Sequence, residues 1–161
     1  DTTLVDVQYG KTEGNTQHPV FGIAASDEDL DTIRTTLKKK GIEFEDISED
    51  DDVRFRMIHY QPELCQHPLF VHIEFPERAG AFLDFMERIA DLASLCYFNY
   101  TYTGERVGRA LVGMEFDTAE DRETIRKRMG AFSKNIIRSI REISPEAFQR
   151  IMGSRQLTGN H

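Results

Sequence analysis

Two spacings of apolar residues alternate along this chain and predict a mixture of strands and helices. Residues 70–75 are mostly apolar and stop at a proline, which predicts a short strand. Residues 81–92 repeat apolar side chains at i, i+3, i+4 and i+7, the spacing of an amphipathic helix. Residues 95–103 are rich in aromatic residues and threonine, and a Gly-Glu turn leads from them into a second predicted strand over 107–116.

Two further helices are predicted by the residues at their N-termini. Thr118 stands three residues before Asp121, and Ser26 stands three residues before Asp29. Both pairs have the spacing of a capping box, in which the side chain of the first residue accepts a hydrogen bond from the helix start. Acidic residues follow each cap and basic residues close each helix, an order that complements the helix dipole.

With closing strands over 136–140 and 42–47, these elements predict an α+β fold built from ferredoxin-like units. The second part of the chain has the order β-α-β-β-α-β, an antiparallel sheet covered on one face by two helices. The first part has only β-β-α-β. A strand over 53–60 is predicted between them, and a short terminal helix after Ser144 is predicted to dock Phe148.

An internal repeat indicates which elements the first part of the chain lacks. The strand around Gly22 returns around Gly113, and the helix around Ile33 returns around Ile125, with one residue inserted between strand and helix. The second copy has a strand and a helix before its repeated part, whereas only three residues precede Leu4 in the first copy. A repeat of this length is a small domain and predicts tandem modules, the first lacking its initial strand and helix.

The predicted division places residues 1–60 in the first module with its crossover strand, 61–69 in a linker, 70–153 in the complete second module and 154–161 in a tail. In a unit of this type the first strand lies between the third and the fourth. The gap in the first module could therefore be filled by upstream sequence, by a partner chain or by the strand over 53–60. Unpaired strand edges are otherwise prone to pair with other chains.

Composition narrows the class of protein. The 161 residues carry a net charge of −8, which argues against nucleic acid or an anionic membrane as the main partner. No apolar run approaches the roughly 20 residues that span a bilayer. Two cysteines are too few for a disulfide framework, so a reducing cytoplasm is expected.

No catalytic or metal site is predicted. The spacings of His59, Cys65, His67 and His72 match no zinc framework, and these residues are interpreted as solvated or packing side chains. No serine or cysteine nucleophile stands in a recognisable motif. A ferredoxin-like sheet can also bind RNA, but the strand over 106–114 lacks the aromatic pair that stacks on bases.

Three motifs of the second copy carry a resemblance to a known family. They are the PERAGAF turn at 76–82, the FNY sequence at 98–100 and the VGRALVGMEF strand at 107–116. Together they resemble the second ACT-like regulatory repeat of biosynthetic threonine dehydratase (threonine ammonia-lyase). Residues 20–60 resemble the end of the first repeat of that family and the crossover after it, and residues 5–9 resemble its second strand.

The resemblance implies a regulatory function. In that family the repeats follow a catalytic domain that holds pyridoxal phosphate, and they bind isoleucine and valine to inhibit or relieve the enzyme of isoleucine biosynthesis. The expected partners are therefore a free branched-chain amino acid, an upstream catalytic domain and further copies of the chain in a homo-oligomer, with no cofactor in this chain itself. The alternatives are a structural oligomerisation module without a small-molecule ligand and a small enzyme on the same fold.

The turn at 76–82 is the predicted effector site. A helix N-terminus offers unpaired N–H groups to a carboxylate, and Gly80 has no Cβ to keep a ligand from the backbone. The other interpretation is a structural turn whose glycine only satisfies backbone geometry. The residues of the turn expected to contact the effector are Glu77, Arg78, Ala79, Gly80, Ala81 and Phe82.

The resemblance adds Tyr9 and Tyr100, at equivalent positions in the two copies, and Asn99 as effector contacts. A tyrosine can line an aliphatic pocket with its ring and hydrogen-bond the polar end of a ligand with its hydroxyl group. Asn99 should point to the sheet face opposite Tyr100. The alternative is that Tyr100 packs in the core and Asn99 is solvated.

Overall fold

The computed structural model describes residues 2–13, 18–50, 58, 60–76, 78, 80–102 and 107–150. The strands are β1 (Thr3–Gly10), β2 (Val20–Ala24), β3 (Leu69–Pro76), β4 (Ser94–Tyr102), β5 (Val107–Glu115) and β6 (Ser139–Ile143). The helices are α1 (Asp27–Lys39), α2 (Ala81–Ile89), α3 (Ala119–Gly130) and α4, which occupies residues 145–150. A single 3₁₀ turn, Pro62–Leu64, precedes β3.

The strands form one antiparallel sheet in the order β2-β1-β4-β5-β3-β6. Within it, β4-β5-β3-β6 has the ferredoxin-like order, with the first strand of the unit, β3, between its third and fourth strands. The predicted α+β class with ferredoxin-like units is therefore confirmed. The two strands of the first unit extend the same sheet, because β1 pairs with β4 along the seam between the units.

The strand register repeats between the two units. Val7 pairs with Phe21, and the equivalent residue Phe98 pairs with Val112. Both pairings shift at a bulge, between Leu4 and Asp6 in the first unit and at the equivalent place in the second. At the seam, Gln8 pairs with Asn99, its own counterpart. A local pseudo-twofold axis therefore passes between these two residues.

One face of the second unit is covered by α2 and α3. Phe85 and Ile89 of α2 and Ile125 of α3 are buried against the sheet residues Phe98 and Val112. Thr118 caps α3 by accepting the N–H of Asp121 at 3.1 Å, as the capping-box spacing predicts. In the first unit, Ser26 accepts the N–H of Asp29 at 3.2 Å at the start of α1.

The other face of the second unit is covered by α4, the short terminal helix. Phe148 of α4 has no exposed surface and stacks on Phe70 at 4.0 Å, with the ring planes 8° apart. The rings of Tyr60 and Tyr97 meet Phe148 edge-on at 5.6 and 5.2 Å. The predicted docking of Phe148 is confirmed, and the two helices α2 and α3 cover one face as predicted.

The closing strand predicted at 136–140 is displaced toward the C-terminus. Ile136 and Ile137 belong to a turn, in which both N–H groups bind the carbonyl oxygen of Ser133 at 3.0 and 3.1 Å. Their side chains are buried in the core below the helices. The apolar pair therefore reflects core packing, and β6 begins only at Ser139.

Other predicted bounds also change. The helix predicted over 81–92 ends at Ile89, because the chain turns back with the N–H of Leu92 on the carbonyl oxygen of Ile89 at 3.2 Å. Residues 42–47 form no strand, since no neighbouring strand offers them a ladder of hydrogen bonds. The strand predicted over 53–60 lies mostly outside the described residues, but Tyr60 at its end packs on the second unit.

The first unit leaves apolar side chains exposed on β2 and after α1. Phe21 and Ile23 on β2 are 53% and 37% exposed, and Ile42 and Phe44 after α1 are 49% and 39% exposed. In the described part of the chain, β2 pairs only with β1. In the second unit β3 fills the equivalent gap by pairing with both β5 and β6.

Candidate effector site

The turn between β3 and α2 places a glycine in a left-handed conformation at the start of the helix. Gly80 is the N-cap of α2 with φ 79° and ψ 4°. Residues other than glycine rarely adopt this conformation, because their Cβ approaches the following carbonyl oxygen. Gly80 therefore has a backbone role, as one interpretation of the sequence expects. Glu77 and Ala79, also predicted to contact the effector, lie outside the described residues.

The space beside Gly80 is open. A Cβ built on this residue would have no atom within 4 Å outside its immediate neighbours. Its carbonyl oxygen accepts the N–H of Asp84 at 2.9 Å, whereas the N–H groups of Phe82 and Leu83 find no acceptor in the part of the chain that the structure describes. As a glycine, Gly80 has no side chain with which to cap the helix. The helix start therefore exposes donors of the type that bind a carboxylate.

Arg78 is engaged by the protein itself. Its Nη2 donates to Oδ2 of Asp84 at 2.6 Å, and its Nε donates to the carbonyl oxygen of Asn135 at 3.0 Å. These contacts tie the turn to the first turn of α2 and to the connection before β6. An incoming carboxylate would therefore have to displace Asp84 to reach the guanidinium group, whereas the backbone amides are directly accessible.

Tyr100 lies beneath the same helix start. Its ring is 6.1 Å from that of Phe75 and 6.2 Å from that of Phe82, and the residue is 9% exposed. Burial raises the pKa of its hydroxyl group, with the nearby Tyr102 as a second cause. The hydroxyl therefore stays protonated at neutral pH. Phe82 also packs on Phe98 at 5.0 Å, so the ring of Phe82 covers the seam side of the sheet.

Gly108 allows Tyr100 to occupy this position. A Cβ on Gly108 would lie 2.5 Å from Oη of Tyr100 and 2.6 Å from its Cε2. Sequence analysis missed this contact, although a glycine inside a strand often marks a close approach of this kind.

The structure places two of the three effector contacts added by the resemblance on the face covered by α2. Tyr9 pairs with Phe98 on the neighbouring strand and packs, half-buried, against the core below the helices, whereas Val7 is the residue opposite Tyr100. Asn99 follows Phe98 on β4 and therefore points to the other face, as predicted. The structure brings Phe82 and Tyr100 together, places Tyr9 on the same face of the sheet and leaves Asn99 on the other.

A protein-family model matches the part of the chain that contains this site. Residues 65–139 match the model of the C-terminal regulatory domain of threonine dehydratase. This segment belongs to that family. The matched residues of the regulatory domain run from before β3 to the first residue of β6 and include the Gly80 turn, Tyr100 and Gly108. A search of curated proteins found no match.

Across the described ranges, none of the helices has the length and apolar character needed to cross a membrane. The same residues contain no group of three or more His, Cys, Asp or Glu side chains placed to hold a metal ion.

Proposed function

We propose that this regulatory domain senses a free branched-chain amino acid, isoleucine with valine as its antagonist, and controls a pyridoxal-phosphate-dependent threonine ammonia-lyase of cytoplasmic isoleucine biosynthesis. The cofactor would belong to the catalytic domain. The observation that carries the proposal is the open, left-handed Gly80 at the start of α2, beside the seam between two units. The family match supports a regulatory function, and the geometry supports the ligand class.

The carboxylate of the effector would bind at the start of α2. The N–H groups of Phe82 and Leu83, which find no acceptor among the described residues, provide two donors, and the positive end of the helix dipole favours the negative charge. The missing Cβ of Gly80 allows this approach. All free amino acids have this carboxylate. The contact would therefore fix the orientation of the ligand and would not select among amino-acid side chains.

Selection would come from the aromatic surface below the turn. Phe82 and Tyr100 form an apolar wall, and Tyr9 extends it across the seam on the neighbouring strand. A branched aliphatic side chain gains about 25 cal/mol for each Å² of apolar surface that it removes from water. One methylene group distinguishes isoleucine from valine and contributes about 0.8 kcal/mol when buried, so the two should compete at similar affinities.

Transmission of the effector signal would depend on the seam between the two units. The strands β1 and β4 join the two units there, and Nζ of Lys11 bridges from the end of β1 to Glu115 of β5 at 2.7 Å. An effector that binds one arrangement of the two units more tightly shifts their populations. Couplings of this kind are about 1–3 kcal/mol, enough for graded inhibition.

Titration calorimetry tests the proposal directly. Isoleucine should give a saturable signal on the folded chain, and valine should displace it. Leucine and the decarboxylated amine of isoleucine are matched controls for side-chain shape and for the carboxylate. A folded sample that binds none of the three amino acids would overturn the proposal, and an amine that binds as well as isoleucine would remove the role of the helix start.

Gly108→Ala should weaken isoleucine binding about tenfold or more, equivalent to about 1.4 kcal/mol. The new methyl group would collide with the ring of Tyr100 and force it out of the wall of the site. The measurement is calorimetry, with circular dichroism to check the fold. Gly130→Ala is the matched control, because a Cβ there meets no atom within 4 Å. Unchanged affinity in the Gly108 variant would place the ligand away from Tyr100.

A second function, oligomerisation, is favoured by the edge of β2. Phe21 and Ile23 are exposed on a strand that pairs on one side only within the described residues. Such an edge is a template for strand pairing with another chain. Size-exclusion chromatography with and without isoleucine separates the functions: a stable dimer that ignores every amino acid supports oligomerisation alone.

A further inference from the structure

The two cysteines of the chain meet on the sheet face opposite α2. Cys96 has no exposed surface and lies at the bulge of β4, where the pairing with β5 skips a residue. Cys65 is half-buried at the end of the 3₁₀ turn and packs against the cluster that contains Cys96. Lys11 joins the two segments, because its N–H donates to the carbonyl oxygen of Cys96 at 2.7 Å and its Nζ donates to that of Leu64, the neighbour of Cys65, at 3.0 Å. Two cysteines far apart in sequence are thereby brought to one cluster on the same face of the sheet.

The surroundings give the two thiols different roles. The neighbouring Cys96 thiol lowers the pKa of Cys65, assisted by Tyr60, whose hydroxyl group lies 3.5 Å from the Sγ of Cys65. The neighbouring Cys65 thiol, together with burial, raises the pKa of Cys96. Lys11 lies nearby, with its Nζ on the carbonyl oxygen of Leu64 at 3.0 Å. Cys65, which is half-buried, is therefore the more accessible thiol, and Cys96, which has no exposed surface, is the partner that can resolve an oxidised Cys65.

We propose that Cys65 and Cys96 are a redox modification site that closes to a reversible disulfide in the presence of a peroxide. The Cys65 thiolate attacks one oxygen of hydrogen peroxide, the O–O bond breaks, and sulfenic acid and hydroxide form. The sulfur of Cys96 then attacks the sulfur of Cys65 and the S–O bond breaks. The departing hydroxide takes up the thiol proton of Cys96 as water. Overall, two thiols are oxidised and one peroxide is reduced to two waters.

The bond would fasten the segment before β3 to the seam between the units. Cys96 is joined to the first unit through its carbonyl oxygen, which accepts the N–H of Lys11 at 2.7 Å. The carbonyl oxygen of Lys11 in turn accepts the N–H of Gln61 at 2.9 Å. Oxidation would convert a set of hydrogen bonds around Lys11 into a covalent link. Disulfides of this kind in a reducing compartment are transient and redox-sensing rather than structural.

The test treats the folded chain with hydrogen peroxide, blocks the remaining thiols under denaturing conditions and maps the peptides without reduction. A linked pair of peptides containing Cys65 and Cys96 is expected, the intact chain should lose the mass of two hydrogen atoms, and dithiothreitol should restore both thiols. Alkylation of both thiols after peroxide treatment, or oxidation of Cys65 beyond sulfenic acid with Cys96 still free, would overturn the proposal.

Two variants test the separate roles of Cys65 and Cys96. Cys96→Ala should accumulate a sulfenic acid on Cys65 that a dimedone probe labels, because the resolving thiol is gone. Cys65→Ser should leave Cys96 unoxidised at the same peroxide dose, since Cys96 has no exposed surface. Equal dimedone labelling of the unaltered chain and of Cys96→Ala would contradict the resolving role of Cys96.

Discussion

Replacing Phe148 with alanine should lower the free energy of unfolding by about 3–5 kcal/mol, the range for removal of a fully buried phenylalanine. The side chain has no exposed surface and stacks on Phe70 at 4.0 Å. Tyr60 and Tyr97 complete the cluster around it with edge-on contacts. The loss would leave a cavity bounded by three rings, because these residues are anchored in the sheet and in the connecting segment. Urea unfolding followed by circular dichroism and tyrosine fluorescence measures the change.

Leu83→Ala is the matched control for that experiment. Leu83 is the same kind of large apolar residue on a helix, but it is 57% exposed, so its truncation should change the free energy of unfolding by about 0.5 kcal/mol or less. If Phe148→Ala costs no more than the control, α4 does not contribute to the stability of the sheet. The covered second face would then be incidental to the fold.

The elements that sequence analysis predicted well are those specified by nearby residues. Ser26 and Thr118 cap α1 and α3 as their spacing predicts, because a cap needs only a side chain and an N–H group three residues away. The duplication predicted more than local structure. Equivalent residues such as Val7 and Phe98 have equivalent partners, so the repeat correctly indicated a second unit of the same register.

The errors arise where a distant partner decides the structure. Ile136 and Ile137 look like strand residues by composition, yet they turn inward to the core, and the strand begins three residues after Ile136. Residues 42–47 have strand composition but no neighbouring strand to pair with. β-propensity describes how a side chain suits a half-buried pleated surface, and a sequence does not say whether that surface exists.

The candidate site also has features that could be predicted from the sequence and features that could not. The turn and its glycine could be predicted, because a helix that starts after Pro76 without a capping side chain needs a permissive residue. Two contacts could not be predicted, that of Arg78 with Asn135 and that of Tyr100 with Gly108. Each joins segments that only the folded sheet brings together. The close approach at Gly108 is what sets the position of the Tyr100 ring.

Gly80→Leu should abolish the binding of isoleucine, with an affinity loss of about a hundredfold or more, equivalent to about 2.7 kcal/mol. The new side chain would occupy the open space through which the carboxylate reaches the N–H groups of Phe82 and Leu83. It would also force a branched residue into φ 79°, at a cost of roughly 1–2 kcal/mol. Calorimetry measures the affinity, and urea unfolding measures the stability.

Gly41→Leu separates these two effects. Gly41 follows α1 with φ 70° and also has no atom within 4 Å of a built Cβ, so the same substitution carries the same backbone strain at a helix end away from the site. Both variants should lose similar stability, and only Gly80→Leu should lose isoleucine binding. Equal affinities in the two variants would show that the carboxylate does not bind at the start of α2, and the role of the turn would then be structural.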